Sequence, residues 1–110
     1  MDYKEASEIL NRKTAIRIAV DGRITEITPK NSTDFSLEEF YKYTDCDCIE
    51  NVYLPNDKIM VVDEEGALRE NRRVNETASK FLCIISVSEG KGCTIPIFGN
   101  VMIINKEQER

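Results

Sequence analysis

Apolar positions along this chain recur with two different periods, and the changes between them mark out its elements. Over residues 3 to 13, Tyr3, Ala6, Ile9, Leu10 and Lys13 fall at helical intervals among charges, as in an amphipathic helix. The period then switches to two. A-I-R-I-A-V sets Ile16, Ile18 and Val20 on one face, and Asp21-Gly22 is expected to supply both positive-φ positions of a tight turn into R-I-T-E-I-T, a hairpin over 15–28 that Pro29 ends. After the polar loop K-N-S-T-D, Ser36 and Glu39 have the spacing of a capping box. They predict a helix from residue 37 to about 45 that buries Leu37, Phe40 and Tyr41.

The stretch C-I-E-N-V-Y-L-P-N-D-K-I-M-V-V-D-E-E-G reads as strand, turn, strand, turn, and predicts a second hairpin over 48–64. A-L-R-E-N-R-R-V-N is polar and leads into a short helix from Asn75, its cap, to Phe81. L-C-I-I-S-V and T-I-P-I-F-G-N-V-M-I-I do not alternate and are expected as buried strands within 82–104, joined by a mobile hairpin loop S-E-G-K-G. Gly99-Asn100 fits a turn or a bulge, and the charged tail 106–110 is expected to fray. The fold class is therefore α+β: a mostly antiparallel mixed sheet of about six or seven strands with two or three helices.

Composition narrows the function. The chain has 110 residues, 41% apolar and 32% charged, which fits one soluble domain spanning 1–110. It lacks a run of about eighteen apolar residues, so no membrane span is expected, and the charged N-terminus is unlike a signal peptide. A cytoplasmic setting is the resulting expectation. Residues 34 to 65 carry ten acidic side chains against Lys42 and Lys58, a balance of −8, whereas residues 66 to 91 reach +2. Such a distribution repels nucleic-acid phosphates over most of the surface, and direct nucleic-acid binding is not expected.

Candidate chemistry is sparse. Four cysteines and no histidine raise a zinc site, but Cys46-Asp47-Cys48 has one intervening residue and Cys83 and Cys93 have nine residues between them, so reduced, buried thiols are the better reading. A redox pair at Cys46 and Cys48 lacks the usual two-residue spacing. Asp63-Glu64-Glu65 reads as a solvated turn rather than a cation site, and Ser88-Glu89-Gly90-Lys91-Gly92 lacks the register of a phosphate loop. No nucleophile with a partnered base emerges, so no catalytic residue, metal or cofactor is assigned. Asn71-Arg72-Arg73-Val74-Asn75 stands apart, because adjacent guanidinium forks beside amides suit an acidic partner or a phosphate. Glu50, embedded in a strand pattern, either faces solvent or bonds the Asn75 region.

Four segments carry a resemblance: Ile49-Glu50-Asn51-Val52, Val62-Asp63-Glu64-Glu65-Gly66-Ala67-Leu68, Asn75-Glu76-Thr77-Ala78 and Gly99-Asn100-Val101-Met102-Ile103-Ile104. Their pattern, I-E-x-V, V-(D/N)-E-E-G-x-L, N-x-x-A and G-x-x-x-(I/V)-(I/V), resembles a small family of uncharacterised domains encoded by bacteria, phages and conjugative elements. The resemblance covers most of residues 15 to 105. The N-terminal helix and the Cys46/Cys48 pair are departures. It implies a mobile-element context and no particular reaction.

The leading expectation is a non-enzymatic accessory or protein-interaction domain with an unknown protein partner. Self-association is also expected, because so small a sheet leaves edges to cover. An alternative is a binder of a nucleotide or signalling molecule, with Glu50, Arg72, Arg73 and Asn75 as ligand-binding candidates. A third is an acidic decoy that imitates DNA with residues 34 to 65. Convergence of the four candidates on one concavity favours the ligand reading, and scatter favours the interaction reading.

Overall fold

The computed structural model describes residues 1–93 and 96–109. Among the described residues five strands form one fully antiparallel sheet: β1 (Ala15–Ile18), β2 (Ile24–Ile27), β3 (Ile49–Leu54), β4 (Lys58–Asp63) and β5 (Val101–Asn105), in the order β2-β1-β5-β4-β3. The α-helices α1 (Tyr3–Leu10), α2 (Leu37–Thr44) and α3 (Glu76–Ser88) accompany it. The α+β class holds, with five strands among the described residues in place of six or seven.

Alternation within the strands builds two cores. Ile16 and Ile18 of β1, Met60 and Val62 of β4, and Val101 and Ile103 of β5 point to one face. There they pack with Ala6, Ile9 and Leu10 of α1 and Ala78, Phe81, Leu82 and Ile85 of α3. The intervening Ile59, Val61, Met102 and Ile104 point to the other face, against Phe35 and Phe40. Because β4 and β5 are covered on both sides, their apolar runs need no polar alternation. Arg17 interrupts β1 for a reason: its Nε donates to the Tyr43 carbonyl at 2.8 Å, placing a cation at the C-terminal end of α2.

The strand missing from the expected count is the segment L-C-I-I-S-V. It continues the helix capped by Asn75, so that α3 runs to Ser88 rather than stopping at Phe81. Its buried positions, Ala78, Phe81, Leu82, Ile85 and Ser86, follow helical spacing. The expected hairpin loop 88–92 is instead the end of this helix. Gly90, at φ +80°, donates to Val87 O at 3.0 Å and Lys91 N donates to Ser86 O at 2.8 Å, the two bonds of a Schellman cap. Of the second expected strand, Thr94 and Ile95 lie outside the described residues and only Val101–Asn105 is regular strand. Gly99, at φ +79°, precedes it.

Smaller departures have local causes. The first helix ends at Leu10, where the Asn11 N–H closes onto Ser7 and Glu8 carbonyls. The turn after β1 has three residues, Val20, Asp21 and Gly22, of which only Gly22 has positive φ; Gly22 N donates to Ala19 O at 2.9 Å. The capping box at Ser36 and Glu39 forms as expected, but Leu37 is half exposed, Tyr41 is only partly buried, and Phe35 takes the buried position beside Phe40.

Nor does the tail hang free through residue 109. Residues 106–108 form a short 3₁₀ turn, the Gln108 carbonyl accepts from Phe35 N at 3.0 Å, and the Glu109 carboxylate accepts from Asn51 Nδ2 at 2.6 Å. The buried Lys58 ammonium bonds the Arg12 carbonyl and Asn105 Oδ1, tying the same end of the sheet together, and burial lowers its pKa. The expectation of four reduced thiols fails for two of them. Cys83 and Cys93 are joined, with Cα atoms 4.6 Å apart, and pin the segment after α3 back onto the helix.

Candidate functional site

At the end of the sheet where β1 and β4 finish and β5 begins, the segment 66–73 folds over and leaves a groove. Gly66 permits this: it is buried, and a Cβ there would lie 3.2 Å from Phe98 Cβ. Val74 bridges to Phe98, and Gly99 N donates to Arg73 O at 2.9 Å, which fixes the far end of the segment against the start of β5. The cavity between them is about 180 Å³ and is lined by Arg69, Asn71, Arg72 and Arg73 on one wall and by Asp45, Asp63 and Asn100 on the other.

The three arginines are held differently. Arg69 makes a two-point pair with Asp63, through Nε to Oδ2 and a terminal nitrogen to Oδ1 at 3.2 Å, and reaches Asp47 at 3.4 Å. The Asp63 hydrogen bond and charge raise the already high pKa of Arg69 further, so it is a permanent, largely neutralised cation. Arg72 donates to the Ala67 carbonyl at 2.5 Å and lies over the Phe98 ring, 5.4 Å from its centre. Arg73 is exposed, and its guanidinium has no hydrogen-bond or ion-pair partner among the described residues. Opposite them, Asp45 occupies the left-handed cap of α2 at φ 54°, receives Asn100 Nδ2, and lies 3.5 Å from Arg17. Both carboxylates of the groove therefore have cations or amides of their own, and free donor capacity lies with Arg72 and Arg73.

The four candidates from the sequence divide. Arg72 and Arg73 share this groove. Glu50, exposed on β3, lines not this groove but an adjoining cleft of about 120 Å³ with Ala67, Pro96 and Ile97, which meets the groove at Asp63, Gly66 and Phe98. Asn75 is not a ligand-binding residue in this arrangement: it is fully buried, its Oδ1 accepts from Ala78 N at 3.0 Å, and its Nδ2 donates to the Ile18 and Gly99 carbonyls at 3.0 and 2.9 Å. Every polar atom of that side chain is occupied by the fold, and none of its partners is Glu50. Arg69 was missed. Its signal was the spacing Arg69, Arg72, Arg73, which gathers three guanidinium groups within five residues. Asp45 and Asn100 had no signal, since only the tertiary fold brings the end of α2 to the start of β5.

The cysteines and acidic turn have their own settings. Cys48 donates to Glu64 Oε2 at 2.7 Å, and that carboxylate, with burial, pushes the thiol up to about 11, which leaves it protonated and a poor nucleophile at neutral pH. Cys46 contacts Thr44 Oγ1 at 3.0 Å. Asp63, Glu64 and Glu65 diverge: Asp63 turns to Arg69 and Glu64 to Cys48. Among the described residues no three His, Cys, Asp or Glu side chains are grouped to hold a metal ion, and no helix is long and apolar enough to cross a membrane.

A family profile described as a domain of unknown function, DUF3846, matches residues 13–110. The chain belongs to that family. The DUF3846 match takes in the sheet, α2, α3 and the whole arginine groove, and begins just after α1, where the sequence resemblance also weakens. No curated protein and no solved structure matches the chain.

Proposed function

We propose that this DUF3846 domain is a non-enzymatic protein-interaction module that receives an acidic side chain of its partner in the groove of Arg69, Arg72 and Arg73. The observation that carries this reading is the pair Arg72 and Arg73: two guanidinium groups on one wall, one braced by Phe98 and Ala67 and the other free. Arg69 shapes the wall but has its charge met by Asp63. The groove's size favours a group on a larger partner over a whole nucleotide, since about 180 Å³ is below the roughly 300–1,000 Å³ of pockets that enclose drug-sized ligands. A mobile-element accessory role rests on the sequence resemblance. The Cys83–Cys93 bond weighs against the expected cytoplasmic setting, because such bonds persist mainly in oxidising compartments.

A blocked Glu-Glu-Glu peptide titrated into labelled protein tests the reading. Amide shifts are expected to move at Arg72, Arg73, Gly99 and Asn100, with affinity near about 1 mM for so small a probe. Shifts elsewhere, or saturation by a nucleotide and not by the peptide, would overturn it. Turnover of any substrate in an activity screen would refute its non-enzymatic part.

A further inference from the structure

The sheet has two edges, and they are protected to different degrees. β2 is four residues long, carries Glu26 in an ion pair with Arg12 at 2.8 Å, and is followed closely by Pro29. β3 is six residues long, I-E-N-V-Y-L, and has no proline or lysine within it. Its hydrogen-bonding direction follows from one contact. Glu64 N donates to Cys48 O at 3.0 Å in the same register as Ile49↔Asp63, so the even-numbered residues of β3 bond β4 and the odd-numbered Ile49, Asn51 and Tyr53 aim their N–H and C=O groups outward. Among the described residues these outward groups have no hydrogen-bonded partner.

We infer that β3 pairs antiparallel with β3 of a second copy of this chain, about a two-fold axis at Asn51, to make one continuous ten-stranded sheet. The sequence of the strand selects both occupant and register. Centred on Asn51, Ile49 faces Tyr53 of the partner subunit, and all three outward residues are engaged in about six hydrogen bonds. Centred instead on Val52, Ile49 would face Pro55 of the partner subunit, which has no N–H. The Asn51 register also places Glu50 opposite Val52 of the partner subunit, so no carboxylates oppose, and it makes an aliphatic–aromatic pair of Ile49 with Tyr53, which is 65% exposed here. The surface lies apart from the arginine groove and does not depend on the function proposed for it.

The test uses the whole chain with Cys46→Ser and Cys48→Ser. Light scattering should give twice the 12.6 kDa chain mass, with dissociation on Tyr53→Pro, which removes an outward N–H and no bond to β4. Mild oxidation of mixed Glu50→Cys and Val52→Cys proteins should give a covalent dimer. Each alone should not, because like positions across the axis are about 8 Å apart against about 4.5 Å for the mixed pair. A 12.6 kDa mass at high concentration would overturn the proposal, as would a dimer that survives Tyr53→Pro with no mixed cross-link.

Discussion

Two polar centres lie within three residues of each other in the sequence and could hardly be used more differently. At Asn75 every donor and acceptor is taken: the side chain caps α3, and its amide bridges carbonyls from β1 and from Gly99, two residues before β5. At Arg72 and Arg73 most donors are free, on a wall open to solvent. Both centres are amide- and guanidinium-rich and look alike as letters. Burial separates them, because a buried polar group must be satisfied from within the fold, whereas an exposed one is left with capacity for a partner.

The largest effect is expected where that satisfaction is broken. Asn75→Asp keeps an oxygen to cap Ala78 N but turns the amide donor into an acceptor facing two carbonyl oxygens. We expect a loss of about 3 kcal/mol or more, read as a fall of more than about 10 °C in the thermal midpoint. An unchanged midpoint would show that water, and not Asn75, serves those carbonyls. Asn75→Ala should cost less than Asn75→Asp, since it leaves the carbonyls unmet without adding a repelling charge.

Breaking the Cys83–Cys93 bond comes next. Reduction frees a closed loop of ten-residue separation and should cost about 2–3 kcal/mol in denaturant unfolding, with the double Cys→Ser variant giving the same value. Because the tied segment leads to Phe98, which braces Arg72, reduction should also weaken peptide binding in the groove while leaving the Asn75 bonds formed.

The same pair shows what the sequence could and could not disclose. Hairpins at 15–28 and 48–64 were legible because strand period and turn residues agree, and the Ser36/Glu39 box and the Asn75 cap were legible because a cap is a local interaction. α3 beyond Phe81 was misread since Ile84, Ile85 and Val87 suggest a strand by propensity. The signal that decides it is Gly90, placed where a helix ends. Of the groove, Arg72 and Arg73 could be picked out by charge, but not their separation in role from Asn75, since fractional burial is set by contacts between distant segments.

Glu39 is the charged counterpart of Asn75, buried at the start of α2. Burial alone raises its carboxyl, but hydrogen bonds from the Ser36 and Lys30 N–H groups, at 3.0 and 3.1 Å, outweigh that and hold the pKa below its ordinary 4.5. The unfolded chain therefore takes up the proton first. Its stabilisation is complete above about pH 4.5 and is lost as pH falls through the lower folded value. Glu39→Gln should cost about 1 kcal/mol at neutral pH and flatten the acid limb of the stability curve. Unfolding with the same acid midpoint in both proteins would remove Glu39 from the set of saturated centres.

The smallest effect on stability, and the sharpest on binding, is expected at Arg73. Its side chain has no partner among the described residues, so Arg73→Ala should leave the thermal midpoint unchanged within error while weakening the acidic peptide several-fold. Arg69→Ala provides the contrast. It strips the two-point partner from Asp63, whose side chain is only 6% exposed, and should lower stability and binding together. A fall in stability for Arg73→Ala, or binding indifferent to it, would mean that its free donors are not what the groove offers, and the line drawn between the two polar centres would have to be moved.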